Sequence, residues 1–208
     1  MKSVIIASLI AAASAFAPAK QAPATTAVQA FENELGAQAP LGMFDPLGLC
    51  ADGDQATFDR MRYTEIKHGR IAMIAVVGYL TNKAGIFFPG DISLDGTKFS
   101  DIGSGFDAIT NLSTVGQFQI FMFIAQAEIM FMRDDCEWTG ATAEFPGDMR
   151  NGFDFGWDKQ SDEWKMKKRA IELNNGRAAM FGILGLMVHE KIAEIGYVAD
   201  LPIIGTLK

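Results

Sequence analysis

A nine-residue motif occurs twice in this chain and constrains its fold more than any other sequence feature. Residues 65–73 and 172–180 share the pattern E-x-x-[HN]-G-R-x-A-M, at an offset of 107 residues (65 to 172). Each copy opens an apolar segment, 71–80 in the first copy and 178–188 in the second. The glutamate and arginine of each copy therefore lie beside apolar helix surface and need partners.

The two charges of one copy do not pair well with each other. Glu65 and Arg70 are five residues apart, about 140° around an α-helix, whereas residues that pair within a helix are three or four apart. An unpaired charge deep in a bilayer costs roughly 2.5–3.5 kcal/mol on insertion scales. We therefore predict crossed ion pairs between the copies, Glu65 with Arg177 and Glu172 with Arg70.

Small residues accompany these charges in both copies. Gly69 and Ala72 in the first copy, and Gly176 and Ala179 in the second, allow two helix backbones to approach closely. Ordinary interhelical ion pairs without any ligand would have the same pattern. The pairs alone therefore leave the function open.

Three long helices are predicted, over residues 57–82, 113–133 and 162–195. Thr57 and Asp162 are plausible N-caps of the first and third helices. The loop 84–112, rich in aspartate and glycine, is expected to be polar and exposed. The third helix is followed by a short amphipathic tail.

Membrane insertion is favoured by helix length and by the distribution of basic residues. Each uninterrupted apolar run is short enough for a soluble protein, but each helix is long enough to cross about 30 Å of hydrocarbon. Basic residues cluster before the first and third apolar segments, whereas the loop 84–112 holds only Lys98, which is the positive-inside pattern. We predict an all-α membrane protein with three transmembrane helices. The first and third cross as a pseudo-two-fold pair, and the tail 196–207 forms a short amphipathic C-terminal helix.

The N-terminus has the composition of a targeting sequence. An apolar run, 4–13, precedes a small-x-small pattern at 13–15, as in a secretory signal, and no acidic residue occurs before Glu32. A signal followed by an acid-free stretch resembles the two-part address of plastids enclosed by extra membranes, with a plain secretory signal as the alternative. We predict a presequence over 1–30 and one functional domain over 31–208.

Charge and residue placement argue against two classes of function. The formal net charge is −7, so no basic face is available to neutralise the phosphates of a nucleic acid. The two histidines, His68 and His189, lie far apart in the chain, and no nucleophile–base arrangement accompanies them, so we predict no enzymatic activity. A small repeat-built membrane transporter, with the Glu–Arg pairs as its translocation site, remains an alternative and predicts a colourless protein.

Several polar side chains stand alone on apolar helix faces. His68 shares a face with Glu65, and Asn175 shares one with Glu172. A paired carboxylate, a neutral imidazole and an amide each keep a free lone pair. Single ligands of this kind suit the axial position of a magnesium held by a macrocycle better than a free metal ion. The same character is found in Gln119, Glu128 and His189, for which an interhelical hydrogen bond is the alternative.

The doubled motif resembles the chlorophyll a/b- and a/c-binding light-harvesting family. Within that family, the short loops are similar to those of the fucoxanthin–chlorophyll a/c proteins of diatoms and brown algae. The resemblance covers about residues 30–208. It includes the segments 35–38, Phe44-Asp-Pro-Leu-Gly48, Phe145-Pro-Gly-Asp148, Phe155-Gly-Trp-Asp158 and 164–173.

The resemblance implies binding of chlorophyll a, chlorophyll c and fucoxanthin, with diadinoxanthin as a further carotenoid candidate. It implies chlorophyll magnesium ligands at Glu65, His68, Glu172, Asn175 and His189, further ligands at Gln119 and Glu128, and ion pairs completed by Arg70 and Arg177. Gln117 or Gln126 is an alternative to Gln119. Carotenoids would lie beside the crossed helices with residues 44–46 and 145–148 near their ends. Phe58 is either a pigment contact or a lipid-facing side chain.

The implied function is that of an antenna subunit in the plastid thylakoid membrane. Such a subunit harvests light and transfers excitation energy to a photosystem I or II core. Its expected partners are thylakoid lipid and other antenna subunits in an oligomer, with no nucleic acid. A stress-type photoprotective member of the same family, which dissipates the energy instead, is the alternative.

Overall fold

A computed structural model describes residues 31–38, 41–133, 140 and 142–194, and for residues 193 and 194 it describes the backbone alone. The chain divides into two compact units, Met1–Gln55 and Ala56–Lys208. The predicted presequence and the predicted C-terminal helix lie outside the described residues, and both stay predictions.

Helices account for the regular structure of the described residues, which contain no β-strand. Helix α1 spans Gln55–Lys83, α2 spans Phe106–Asn111, α3 spans Thr114–Met130 and α4 spans Asp162–Glu194, with a 3₁₀ turn at Phe99–Ile102. The prediction of an all-α chain is confirmed for these residues. None of the helices in the described ranges combines the length and the apolar character needed to cross a membrane.

The helix ends differ slightly from the predicted ones. α1 starts two residues before Thr57, and α4 is capped by Ser161 rather than Asp162, because the Ser161 hydroxyl accepts the Trp164 backbone N–H at 3.4 Å. Ser113, the predicted first residue of the second helix, is the N-cap of α3 and accepts the Gly116 N–H at 3.2 Å. Both hydroxyls satisfy an N–H group that the first turn of a helix leaves without a partner.

None of residues 84–112 is buried, as predicted for this loop, but the loop has more structure and more apolar surface than its aspartates suggest. It contains the 3₁₀ turn and α2, and it borders an open cavity of about 430 Å³ with a mainly apolar lining that includes Phe87, Phe99 and Ile102. The aspartates of this loop dominated the sequence pattern. The apolar residues between them are too irregularly spaced to predict a packed turn.

Each unit contains an aspartate-led turn. In the first unit, the Asp45 carboxylate accepts the backbone N–H groups of Leu49 at 3.0 Å and Cys50 at 2.8 Å. In the second unit, the Asp154 carboxylate accepts the Asp158 N–H at 2.7 Å. Short acidic side chains favour such local bonds to the backbone, so two segments named by the resemblance form turns of the same kind.

α1 and α4 cross at a pair of glycines. A Cβ atom built on Gly69 would lie 2.9 Å from the Gly176 Cα, and one built on Gly176 would lie 2.9 Å from the Gly69 Cα. Two backbones can meet at this separation only where neither residue carries a side chain. The predicted close approach at these two glycines is confirmed.

The protein buries few of its apolar side chains among the described residues. α1 buries a single stripe, Phe58, Arg62, Ile66, Gly69 and Ala72, at the three- and four-residue spacing of one helix face. α3 buries none of its residues. Its phenylalanines at 118, 121 and 123 are exposed, as are many apolar residues in the second halves of α1 and α4.

Candidate pigment-binding site

Both predicted crossed ion pairs are present. The Arg70 Nε atom donates to Glu172 Oε1 at 2.6 Å, and the Arg177 Nε atom donates to Glu65 Oε1 at 2.6 Å. In each helix the glutamate precedes the contacting glycine and the arginine follows it, so one ion pair lies on each side of the Gly69–Gly176 contact. The four charged residues of the repeated motif therefore join α1 to α4.

Arg70 also connects α1 to the loop before α4. Its Nη1 atom donates to the Gly147 carbonyl oxygen at 2.7 Å. Gly147 has a φ of +86°, and a Cβ atom there would lie 3.0 Å from Ile66 Cγ2, so only glycine fits both the backbone conformation and the contact. The Phe145–Asp148 segment is thus fixed against α1 beside the Arg70–Glu172 pair.

A cavity of about 330 Å³ opens beside this pair. Its lining combines charged and apolar side chains, among them Arg70, Glu172, Asp148, Phe145 and Trp157. A ligand with a polar end and an apolar body would match such a surface.

His68 is oriented by its own helix. Its Nδ1 atom lies 2.8 Å from the Thr64 carbonyl oxygen, and because a carbonyl can only accept, Nδ1 carries the hydrogen. The Nε2 atom of the neutral ring is then left with its lone pair, and the side chain is exposed. Asn175, the equivalent residue of the second copy, is exposed too, and His189 is half-buried near the end of α4.

α3 is attached to α1 by a third ion pair that the sequence did not predict. Lys67 Nζ donates to Glu128 Oε2, and the Tyr63 hydroxyl donates to the Met132 carbonyl oxygen at 3.0 Å. In α4 the equivalent positions are Asn174, which has no charge for an ion pair, and Ala170, which has no hydroxyl. The interhelical bond considered as an alternative for Glu128 therefore exists, and it is made to a lysine that only the first copy of the repeat has.

The glutamines of α3 differ in how far the protein engages them. The Gln117 amide nitrogen donates to the carbonyls of Ile109 at 2.8 Å and Leu112 at 3.0 Å, which ties it to the start of the helix. The Gln126 amide contacts Met130 Sδ at 3.4 Å, and Gln119 is exposed.

Arg62 is a site residue that the sequence analysis missed. Its Nη1 atom donates to Glu65 Oε2, and its guanidinium lies 5.1 Å from the centre of the Phe58 ring. Phe58 is buried, with Arg62 over its ring, so of the two alternatives for this residue the lipid-facing one is wrong. The signal was available, because Arg169 stands at the same 107-residue offset from Arg62 (62 to 169).

The loop before α4 is held together by a charge network. Arg150 donates to Asp148 and Glu144, and its guanidinium lies 5.0 Å from the centre of the Trp157 ring. The hydrogen bond from Arg150 holds the pKa of Asp148 below its ordinary value, and backbone N–H groups of residues 144 and 150 act in the same direction against the opposing effect of burial. These bonds give a rigid loop next to the Arg70–Glu172 pair.

The fold and site define an all-helical protein in which two copies of one motif cross and exchange ion pairs. Residues 31–191 match the family described as Chlorophyll A-B binding protein. The chain belongs to this family, which is one of pigment-binding proteins and not of enzymes, and the resemblance drawn from the doubled motif is confirmed.

Several curated proteins are similar to the chain over nearly its whole length. Fucoxanthin-chlorophyll a-c binding protein F, chloroplastic, from Phaeodactylum tricornutum is 58% identical over 195 residues, covering 92% of this chain and 96% of that protein. The fucoxanthin-chlorophyll a-c binding protein of Trieres chinensis is 49% identical over the full length of both chains. Fucoxanthin-chlorophyll a-c binding protein B, chloroplastic, from Macrocystis pyrifera is 44% identical, and the match covers 96% of this chain and 95% of that protein.

Proposed function

We propose that this chain is an antenna subunit of the plastid thylakoid membrane. It binds chlorophyll a, chlorophyll c and fucoxanthin, harvests light and transfers excitation energy to a photosystem core. The relatives support the pigment set and the compartment, since their names specify fucoxanthin, chlorophylls a and c, and the chloroplast. The bound pigments absorb the light, and the chain fixes their positions without catalysing a reaction.

The crossed ion pairs carry the proposal. Each carboxylate remains accessible after pairing, with 27% of the Glu65 side chain and 35% of the Glu172 side chain exposed. A carboxylate has about four lone-pair sites, and the arginines leave some of them unused. An accessible hard oxygen beside apolar helix surface is a suitable axial ligand for a chlorophyll magnesium.

The other ligands that we propose have similar surroundings. His68 presents Nε2 because Nδ1 is engaged by Thr64, and Asn175 is exposed at the equivalent place on α4. Glu128 retains one oxygen beyond its bond to Lys67. His189 and Gln119 complete the set, with Gln119 preferred over Gln117 because the Gln117 amide is bonded to two backbone carbonyls.

The small core supports a chain that is completed by pigment and lipid. Burial of apolar surface is the main force that offsets the conformational entropy lost on folding. Here α3 buries no residue, and large apolar side chains of α1, α3 and α4 are exposed. Chlorophyll rings, carotenoid chains and lipid tails would cover that surface.

We further propose that α1, α3 and α4 span the thylakoid membrane, with α1 and α4 related by a pseudo-two-fold axis. Hydropathy treats every charge as unpaired, whereas Glu65, Arg70, Glu172 and Arg177 neutralise one another across the helix crossing. Neutral pairs lose most of the insertion penalty that isolated charges have.

The cavity of about 330 Å³ beside Gly147 and Asp148 is the place that we propose for the polar end of a carotenoid.

Fluorescence excitation of the protein purified from its native membrane tests the function. We expect absorption bands of chlorophyll c and fucoxanthin to appear in the excitation spectrum of chlorophyll a emission. A colourless protein would refute pigment binding, and pigments without transfer to chlorophyll a would refute the antenna role. A strongly shortened chlorophyll a lifetime in the isolated protein would instead favour an energy-dissipating member of the family.

A further inference from the structure

Arg62 lies in the buried stripe of α1, three residues before Glu65. Its side chain is only 7% exposed, and its Nη1 atom donates to Glu65 Oε2. Arg177, on the other helix, donates to Glu65 Oε1 at 2.6 Å. One carboxylate is therefore held by two guanidinium groups, one at each oxygen.

Two donors from different directions fix the carboxylate more firmly than one. A single bond leaves the carboxylate free to rotate about its last side-chain torsion, which has a broad energy minimum. Bonds at both oxygens fix the plane of the group and hence the direction of the lone pairs that remain. The Phe58 ring under the guanidinium keeps Arg62 itself in place.

The equivalent arginine of the second copy has different surroundings. Arg169 stands at the same offset, but its guanidinium lies 3.8 Å from the centre of the Phe145 ring, in the loop before α4. Each of the two arginines thus lies against an aromatic ring, Arg62 against Phe58 of its own helix and Arg169 against Phe145 of the preceding loop. Arg169 is a matched control for Arg62 in a test of the pigment at Glu65, because the ion pairs of Glu65 are with Arg62 and Arg177.

We propose that Arg62 is a positioning residue for the ligand Glu65. It holds the second carboxylate oxygen, so that Glu65 keeps its orientation when Arg177 alone is removed. The motif of α1 is then R-x-x-E-x-x-H-G-R, in which Arg62 orients the ligand Glu65 and Arg70 pairs with the ligand Glu172. This inference rests on the proposed function, because it concerns the pigment bound at Glu65.

The test compares pigment bands in the purified pigment–protein complex. The absorption difference between E65Q and the unsubstituted protein first identifies the pigment held by Glu65. R62Q loses a charged hydrogen bond to the ligand, so it should retain that pigment roughly tenfold less well, which corresponds to about 1.4 kcal/mol. R169Q should keep it, R177L should keep part of it, and the double variant R62Q/R177L should lose it as completely as E65Q.

Two results with the glutamine variants would overturn the role of Arg62. One is an unchanged Glu65 band in R62Q, and the other is an equal loss in R62Q and R169Q. If R62Q does not fold, R62K decides, because an ammonium is a compact, strongly hydrated charge that does not reproduce the planar guanidinium held against the Phe58 ring. A shifted or broadened Glu65 band in R62K supports the proposal, and an unchanged band overturns it. No pigment loss in E65Q would instead refute the ligand role of Glu65, and the Arg62 role with it, which separates the two failures.

Discussion

Replacing Arg70 by leucine tests whether each ligand depends on the opposite helix. Arg70 makes two charged hydrogen bonds, to Glu172 Oε1 at 2.6 Å and to the Gly147 carbonyl at 2.7 Å. Bonds to charged groups contribute about 1.5–3 kcal/mol each. Because the pair is partly exposed, we take the lower end and expect a loss of about 3 kcal/mol, shared between helix crossing and pigment binding.

The lost pigment identifies the connection. Without Arg70, Glu172 is an uncompensated carboxylate beside apolar surface, and it reorients towards water. The pigment missing from R70L should therefore be the one missing from E172Q, even though Arg70 is on α1. Absorption difference spectra of R70L, E172Q and E65Q, each against the unsubstituted protein, measure this.

An opposite match would refute the crossed arrangement. If R70L lost the pigment that E65Q loses and kept the one that E172Q loses, each glutamate would depend on its own copy of the motif. K83Q is a suitable control, since Lys83 lies at the end of the same helix, with its ammonium 5.6 Å from the centre of the Tyr79 ring. It should change neither band.

Three further predictions concern packing, docking and pH. Gly176→Ala places a Cβ 2.9 Å from the Gly69 backbone and should lower stability by about 1–3 kcal/mol, seen as a lower Tm, whereas Gly185→Ala meets nothing within 4 Å and should be neutral or slightly stabilising. Equal shifts in both would contradict the glycine crossing. Lys67→Met removes an ion pair worth about 1 kcal/mol, so it should make α3 more accessible to protease and weaken pigment binding at Glu128. Asn174→Met, at the equivalent position of α4, should have neither effect. The pKa of Asp148 is lowered, so its contribution to stability is present above its ordinary pKa of 3.8 and is lost as the pH falls through the lower pKa of the folded state. Asp148→Asn should therefore make acid unfolding less steep below about pH 4, and an unchanged slope would contradict this.

The repeat made the centre of the fold predictable. Glu65 and Arg70 are wrongly spaced to pair within a helix, and the second copy offers the complementary charges at the same spacing. Gly69 and Gly176 then fix where the backbones meet. These inferences need only helix geometry and the requirement that charges be neutralised.

The contacts that break the repeat were not predictable in the same way. Lys67 and Tyr63 have no counterparts in α4, so nothing in the pattern indicated that they bond to α3. Arg62 and Arg169 do repeat, but Arg62 lies against a ring of its own helix, Phe58, and Arg169 against a ring of the preceding loop, Phe145. Such contacts depend on which loop or helix comes near, and that is decided by tertiary packing.

The presence of magnesium at the two crossed carboxylates is the central claim, and a high-resolution structure of the pigment-loaded protein tests it most directly. We predict a chlorophyll magnesium at about 2.1 Å from a carboxylate oxygen of Glu65 and another at the same distance from Glu172, with both arginine bonds still in place. Pigments ligated elsewhere, with Glu65 and Glu172 contacting only Arg177 and Arg70, would contradict the account and leave the four residues as a structural pair of ion bonds.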